Sequence, residues 1–209
     1  GASPIHYGTA VQGELFQAIM GTSMSSPYVA GLFALIKQAH PDWSSAMARS
    51  ALMTTAHQKV DNDWRFPAGP FDMGAGHVDA TNRPQRGSMF EPGLVYDAGL
   101  LDYMGFLCGA YPDAFTDPEA TCTGLENAGI PTDPSDLNLP SIGIAELPGS
   151  QTVIRTVTSV GPPDEVRQYK VRVNKPRCYD VTVVPDTLTL AGGESATFEV
   201  TITNRGRAP

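Results

Sequence analysis

Serine and small residues concentrate in one stretch of the chain, residues 21–27, which reads GTSMSSP. Gly21 permits a tight turn with close backbone contacts, and Pro27 fits the first turn of a helix. The following residues are apolar almost all round as far as Ala39, which predicts a buried helix. Ser23 would then lie at the positive end of that helix, where unpaired N–H groups favour a developing negative charge. A nucleophilic serine and its oxyanion hole need this environment, although serine is also an ordinary helix N-cap.

A longer motif surrounds this serine. Residues 21–31 read GTSMSSPYVAG and resemble the nucleophile motif of the subtilisin-like serine proteases. The similarity continues through five later segments: HPDWS at 40–44, SALMTTA at 50–56, FDMGAGHV at 71–78, PGLVYD at 92–97 and DLNLPSI at 136–142. Together these segments are similar to the plant-type and related bacterial subtilases of the peptidase S8 family, including their C-terminal fibronectin III-like domain. The resemblance covers nearly the whole chain.

The resemblance implies roles for the residues of the turn. Ser23 is the expected nucleophile of a serine-type endopeptidase, and Thr22 and Ser23 are expected to supply the backbone of the oxyanion hole. Polypeptides are the expected substrates, and the expected location is secreted or extracellular. The mechanism also needs a histidine base and an aspartate that orients it, and in subtilases both precede the serine.

The chain does not supply those two residues in that order. Only His6 precedes Ser23, and its context does not resemble the family's His-Gly-Thr element. His40, His57 and His77 follow the serine at helix ends or in loops, and we interpret them as structural or exposed. We therefore expect the chain to be the C-terminal part of a subtilase whose missing N-terminal part carries Asp and His. Alone, the chain is predicted to be inactive, because a serine without a base is a poor nucleophile.

Two other classes were compared with the protease. A non-catalytic pseudoprotease, or a β-sandwich interaction module, would keep the motif only for packing. The unchanged serine within its motif favours the enzyme over this alternative. An esterase elbow is excluded, because no Gly-x-Ser-x-Gly pentapeptide surrounds Ser23.

A change of hydrophobic period predicts two architectures in one chain. Residues 1–110 are expected to be the C-terminal part of a doubly wound α/β domain, and residues 111–140 a loop-rich linker. Residues 141–209 are expected to form an all-β, fibronectin III-like sandwich that lacks its last strands. Helices are predicted at 23–39, from a cap at 42 or 44 to about 56, and at 100–107. Strands are predicted around 153–160, 169–173, 181–184 and 198–203.

Charge and hydropathy exclude some partners. The net charge is −8; residues 1–150 carry 6 basic and 16 acidic side chains, whereas residues 151–209 carry 8 basic and 6 acidic ones. This balance argues against nucleic acid, whose phosphates need clustered basic residues. No apolar stretch is long enough to span a bilayer, so no membrane partner is predicted.

The chain has three cysteines. Cys108 and Cys122 lie 14 positions apart in a stretch rich in Pro, Asp and Thr. Two free thiols are one interpretation, but the loop position and the resemblance to secreted proteases favour a disulfide. Cys178 is left over and is expected to be a small buried strand residue. Acidic residues between 109 and 136 do not have the spacing of a calcium loop, so we interpret them as solvated. We predict no cofactor, and calcium stays an open alternative that the residues of this chain do not decide.

Overall fold

A computed structural model gives the fold and describes residues 21–61, 66–82 and 87–206. The chain divides into two compact units, residues 1–41 and residues 42–209. The described part of the first unit is built on one helix. The second unit contains several helices and two antiparallel sheets.

The helix of the first unit is α1 (Thr22–Ala39), which begins after Gly21 and is followed by His40 as its C-cap. These bounds agree with the helix predicted at 23–39. Proline disfavours helix in the residue before it, and Pro41 therefore ends α1 where the sequence predicts. The Nζ of Lys37 donates to the carbonyl of Pro41 at 2.6 Å and ties the last turn to the residue beyond it.

Most of the surface of α1 is exposed in this chain, unlike the buried helix that its apolar pattern predicts. Leu32 and Ile36 are buried, but Tyr28 is 63% exposed and Leu35 is 49% exposed. The two buried residues are four apart and therefore share one narrow face of the helix. Within the residues of this unit that the structure describes, no strand is present to cover the remaining apolar surface.

Pro27 also lies deeper in α1 than the sequence suggests. It is the sixth residue of the helix rather than a member of its first turn. Because proline has no N–H, the carbonyl of Ser23, four residues earlier, receives no helical hydrogen bond from it. The first turns of α1 therefore contain fewer backbone hydrogen bonds than the rest of the helix.

The second unit opens with α2 (Ser45–Thr54), followed by the short helix α3 (Pro70–Met73). Ser44 caps α2, since its side chain accepts a hydrogen bond from the N–H of Met47 at 3.0 Å. Ser44 was one of the two predicted caps. The residues buried on and beside α2 are Trp43, Ala48, Ser50, Ala51, Leu52, Thr55 and Ala56.

Residues 111–140 are not the loop-rich linker that the sequence predicts. Helix α4 (Leu100–Ala110) is followed by a 3-10 turn, the helix α5 (Pro118–Asn127) and a second 3-10 turn at Pro134–Asp136. The segment after α5 lies directly on α4: a Cβ added at Gly109 would come within 2.2 Å of the carbonyl oxygen of Thr132. Glycine in α4 allows this close approach, which single-sequence periodicity does not reveal.

Six strands form two antiparallel sheets in the described residues of the second unit. The strands are β1 (Leu94–Val95), β2 (Ser150–Ser159), β3 (Val166–Lys170), β4 (Tyr179–Val184), β5 (Thr187–Ala191) and β6 (Ser195–Asn204). The larger sheet has the order β1-β2-β6-β4, and β3 pairs with β5 in the smaller one. Each of the four strands predicted after residue 141 overlaps an observed strand.

The alternation predicted along β2 is observed, and the structure shows which face is inside. Val153, Val157 and Ser159 are buried, and so is Arg155, at 4% exposure. Val153 lies opposite Val200 of β6 in the sheet register. The buried face of β2 therefore carries one strongly basic side chain among apolar neighbours.

Arg155 is satisfied by the chain segment at residues 135–141, which lies beside β2. Its guanidinium donates to the carbonyls of Ser135, Leu139 and Ser141 at 2.8, 3.0 and 3.3 Å. The side chain of Asn138, in the same segment, pairs with β2 as a neighbouring strand would. Its amide nitrogen donates to the Thr156 carbonyl, and its amide oxygen accepts from the Thr156 N–H. The DLNLPSI motif thus closes the edge of β2 next to β1.

Candidate functional site

Ser23 is the second residue of α1 and is exposed. The residue before the helix, Gly21, has a φ of 148°, a backbone conformation that L side chains rarely adopt. The nearest atom to a Cβ at Gly21 would be the sulfur of Met24 at 4.0 Å, so conformation rather than space requires glycine there. The turn that precedes Ser23 therefore depends on this glycine.

The backbone of the first turn is oriented for a negative charge. The N–H groups of Met24 and Ser25 donate to the carbonyl of Gly21 at 3.0 and 3.2 Å. The N–H groups of Thr22 and Ser23 lie at the very start of the helix, where no intrahelical acceptor exists. No acidic residue lies in the first turn of α1 to neutralise the positive end of the helix dipole. This arrangement can stabilise an oxyanion that forms next to the Ser23 hydroxyl.

The structure does not bring His40 to Ser23. His40 caps the opposite end of α1, and 17 residues of helix at about 1.5 Å each separate the two by about 25 Å. His57 and His77 pair with each other in an antiparallel bridge, with N–H to carbonyl distances of 2.7 and 2.9 Å. That pairing joins the backbones of the two residues. His6 lies outside the described residues.

Burial shifts the pKa values of three ionisable groups in this region: Asp136, which lies beside β2, Arg155, which lies on β2, and Tyr96, which follows β1. Burial raises the pKa of Asp136, although the hydrogen bond that its carboxylate accepts from the N–H of Ile154 opposes this. Burial lowers the pKa of Arg155 and raises the pKa of Tyr96. Sequence reasoning did not single out Arg155, although a charged residue in phase with Val153 and Val157 was a signal that could have found it.

Cys108 and Cys122 are joined in the structure, with their sulfur atoms 2.07 Å apart, and they link α4 to α5. Cys178 is unpaired and half-buried. It is not a strand residue as predicted, but occupies a turn before β4 with a φ of 70°. In the residues that the structure describes, no group of His, Cys, Asp or Glu is arranged to hold a metal ion. In the same ranges, none of the helices has both the length and the apolar character needed to cross a membrane.

Both the N-terminal and the C-terminal parts of the chain are similar to known protein families. Residues 5–81 match the subtilase family, and residues 136–209 match the fibronectin type-III domain. Subtilisin-like protease SBT2.5 of Arabidopsis thaliana is 38% identical over 213 residues, which cover 92% of this chain and 24% of that protein. Subtilisin-like protease SBT5.3 of the same plant is 40% identical over 199 residues, covering 89% of the chain and 24% of that protein. A subtilisin-like protease of Glycine max is 38% identical over 207 residues, covering 91% of the chain and 24% of that protein.

These matches confirm the resemblance found in the sequence. Residues 5–81 are a segment of the subtilase type, and residues 136–209 are a fibronectin type-III domain. The chain spans about a quarter of the length of the curated relatives that it matches.

Proposed function

We propose that this chain is the part of a secreted serine endopeptidase that carries the nucleophile, Ser23, and that the complete enzyme cleaves polypeptides. The observation that carries the proposal is the exposed Ser23 hydroxyl at the start of an 18-residue helix, directly after a turn that requires glycine. The GTSMSSP motif and the subtilisin-like protease relatives support the same assignment. The disulfide between α4 and α5 supports secretion, because such bonds persist in oxidising compartments.

In this proposal, the Ser23 Oγ attacks the carbonyl carbon of the scissile peptide while a base removes its proton. The backbone N–H groups of Thr22 and Ser23 stabilise the oxyanion of the tetrahedral intermediate. The C–N bond then breaks, the base returns the proton to the leaving amine, and an acyl-enzyme remains on Ser23. Water hydrolyses that ester in the second half of the reaction and regenerates the hydroxyl.

The base and its orienting acid are proposed to be a histidine and an aspartate from a part of the protease outside these 209 residues. His40 is about 25 Å from Ser23 along the helix, and His57 and His77 belong to a structural bridge. By this account the isolated chain has no peptidase activity. Residues 1–110 would complete a doubly wound α/β domain, and residues 141–209 form a β-sandwich.

The direct test is Ser23→Ala in the complete protease. We expect turnover of casein to fall about a millionfold, as it does when subtilisin loses its serine, with no change in the melting temperature. Ser25→Ala is the matched control, because the Ser25 hydroxyl lies in the same turn and only donates to the Gly21 carbonyl at 3.4 Å. Equal activity of the two variants would favour the alternative of a non-catalytic pseudoprotease or interaction module.

A further inference from the structure

The compact units of the chain do not follow its two family segments. The subtilase-type segment extends to residue 81, and the fibronectin type-III domain begins at residue 136. The first compact unit nevertheless ends at residue 41, so that the subtilase-type helix α2 lies in the same unit as both β-sheets. Contacts inside the second unit therefore join α2 to the fibronectin domain.

Strand β1 lies between the two segments in sequence and belongs to the sheet of the fibronectin domain. Leu94 is opposite Ser159 in the antiparallel register of β1 and β2. The pairing is prolonged by the Val160 N–H, which donates to the Gly93 carbonyl at 3.0 Å. Val95 is completely buried. β1 thus forms one edge of the larger sheet, although its residues precede the domain.

The same stretch of chain is fixed to α2. The backbone N–H of Tyr96 donates to the hydroxyl of Ser50 at 2.9 Å, and Ser50 is completely buried on α2. At the start of the helix, the hydroxyl of the cap residue Ser44 donates to the carboxylate of Asp97. The bond to Ser50 is the more costly one to break, because a backbone N–H that loses its partner in the interior is not rescued by water.

Tyr96 contacts both parts of the second unit. Its N–H is bonded to α2, whereas its ring meets the ring of Phe198 on β6 edge to face, with the centroids 6.5 Å apart. Aromatic pairs of this geometry contribute more than the area that they bury. Opening of the sandwich therefore removes the surface that holds the Tyr96 ring, and with it the position of the N–H that Ser50 accepts.

We propose that β1 is a strap through which the fibronectin type-III domain holds α2, so that the helix and the sandwich open as one cooperative unit. Cooperative opening units usually consist of neighbouring elements of the chain. This one joins elements that are far apart in sequence, because the strap is bonded to both. A chain whose fibronectin domain is unfolded or cleaved consequently loses the support of α2.

The first test loosens the sandwich and follows α2 by amide hydrogen exchange and mass spectrometry of the complete protease. Val200→Ala opens a small cavity at a buried position of β6. We expect the amides of β6 and of α2 to exchange about tenfold faster or more, by the same factor, since one opening exposes both. Faster exchange in the sandwich, with α2 unchanged, would overturn the proposal.

A matched pair of serine variants tests the strap itself and does not depend on the folding of Val200→Ala. Ser50→Ala removes the hydroxyl that accepts from Tyr96. Ser159→Ala is the same change at a buried serine of β2, whose hydroxyl has no hydrogen-bond partner in the part of the chain that the structure describes.

The two serine variants should differ in exchange. In Ser50→Ala we expect the amides of residues 93–97 and of α2 to exchange about tenfold faster, the factor that loss of one buried hydrogen bond produces. In Ser159→Ala they should exchange at the wild-type rate or more slowly. Equal rates in the two variants, or faster exchange in Ser50→Ala at residues 93–97 alone, would overturn the proposal.

Discussion

The turn at Gly21 allows a sharp test of how the Ser23 site is held. Gly21→Ala forces an alanine into a φ of 148°, although there is space for its Cβ. A backbone held in such a sparsely populated region costs about 1–3 kcal/mol. The strain falls on the first turn of α1, because the Gly21 carbonyl accepts the hydrogen bonds of Met24 and Ser25. The expected consequence is local opening of that turn.

Gly31→Ala is the matched control in the same helix. A Cβ at Gly31 meets no atom within 4 Å, and alanine favours helix over glycine by about 0.5–1 kcal/mol. The two identical chemical changes should therefore have opposite effects on α1. The difference depends only on the backbone conformation at the two positions.

Amide hydrogen exchange measures the result residue by residue. The Met24 and Ser25 amides should exchange about 5- to 150-fold faster in Gly21→Ala, which corresponds to 1–3 kcal/mol. In Gly31→Ala they should exchange at the wild-type rate or more slowly. Unchanged exchange in Gly21→Ala would show that the turn does not depend on glycine and would refute the reasoning about the Ser23 environment.

Three further predictions concern the second unit. Asn138→Ala leaves two backbone groups of β2 without partners and should lower the free energy of unfolding in urea by about 2–4 kcal/mol. Asn138→Asp keeps the acceptor and should lower it by less. Equal losses in the two variants would contradict the pairing. Replacing Cys108 and Cys122 by serine should lower the free energy of unfolding by about 3 kcal/mol. Mass spectrometry of a non-reduced digest should find the peptides of these two cysteines linked and Cys178 free. Alkylation of all three thiols in the native protein would disprove the bond. Because burial raises the pKa of Asp136 in the folded state, the free energy of unfolding should fall as the pH rises from the unfolded pKa through the folded pKa of this carboxyl. Asp136→Asn should flatten this part of the curve of unfolding free energy against pH. Parallel curves for the two proteins would contradict the prediction.

Local signals predicted the elements of the chain well. Pro41 and Ser44 set the end of α1 and the start of α2, and the period of two placed the strands β2, β3, β4 and β6. These features depend on neighbours in sequence, which a single chain displays. The family motif around Ser23 was equally readable, because it is a contiguous run of residues.

Features that depend on distant contacts were not predicted. The burial of Arg155 requires the carbonyls of residues 135–141, and no residue near Arg155 in the sequence indicates that these carbonyls will lie beside it. The helix α5 lies in a segment whose composition is typical of loops, and it is tied to α4 by the disulfide. The exposure of Leu35 on α1 likewise depends on what covers the helix, rather than on the apolar pattern itself.

The most direct measurement of the central claim is to treat the complete protease with a serine-directed phosphonylating probe and to map the label by mass spectrometry. The account predicts stoichiometric modification of Ser23, loss of peptidase activity in the same proportion, and no label on Ser25 or Ser26. An active protease that is inhibited by the probe at another serine, with Ser23 unmodified, would contradict it.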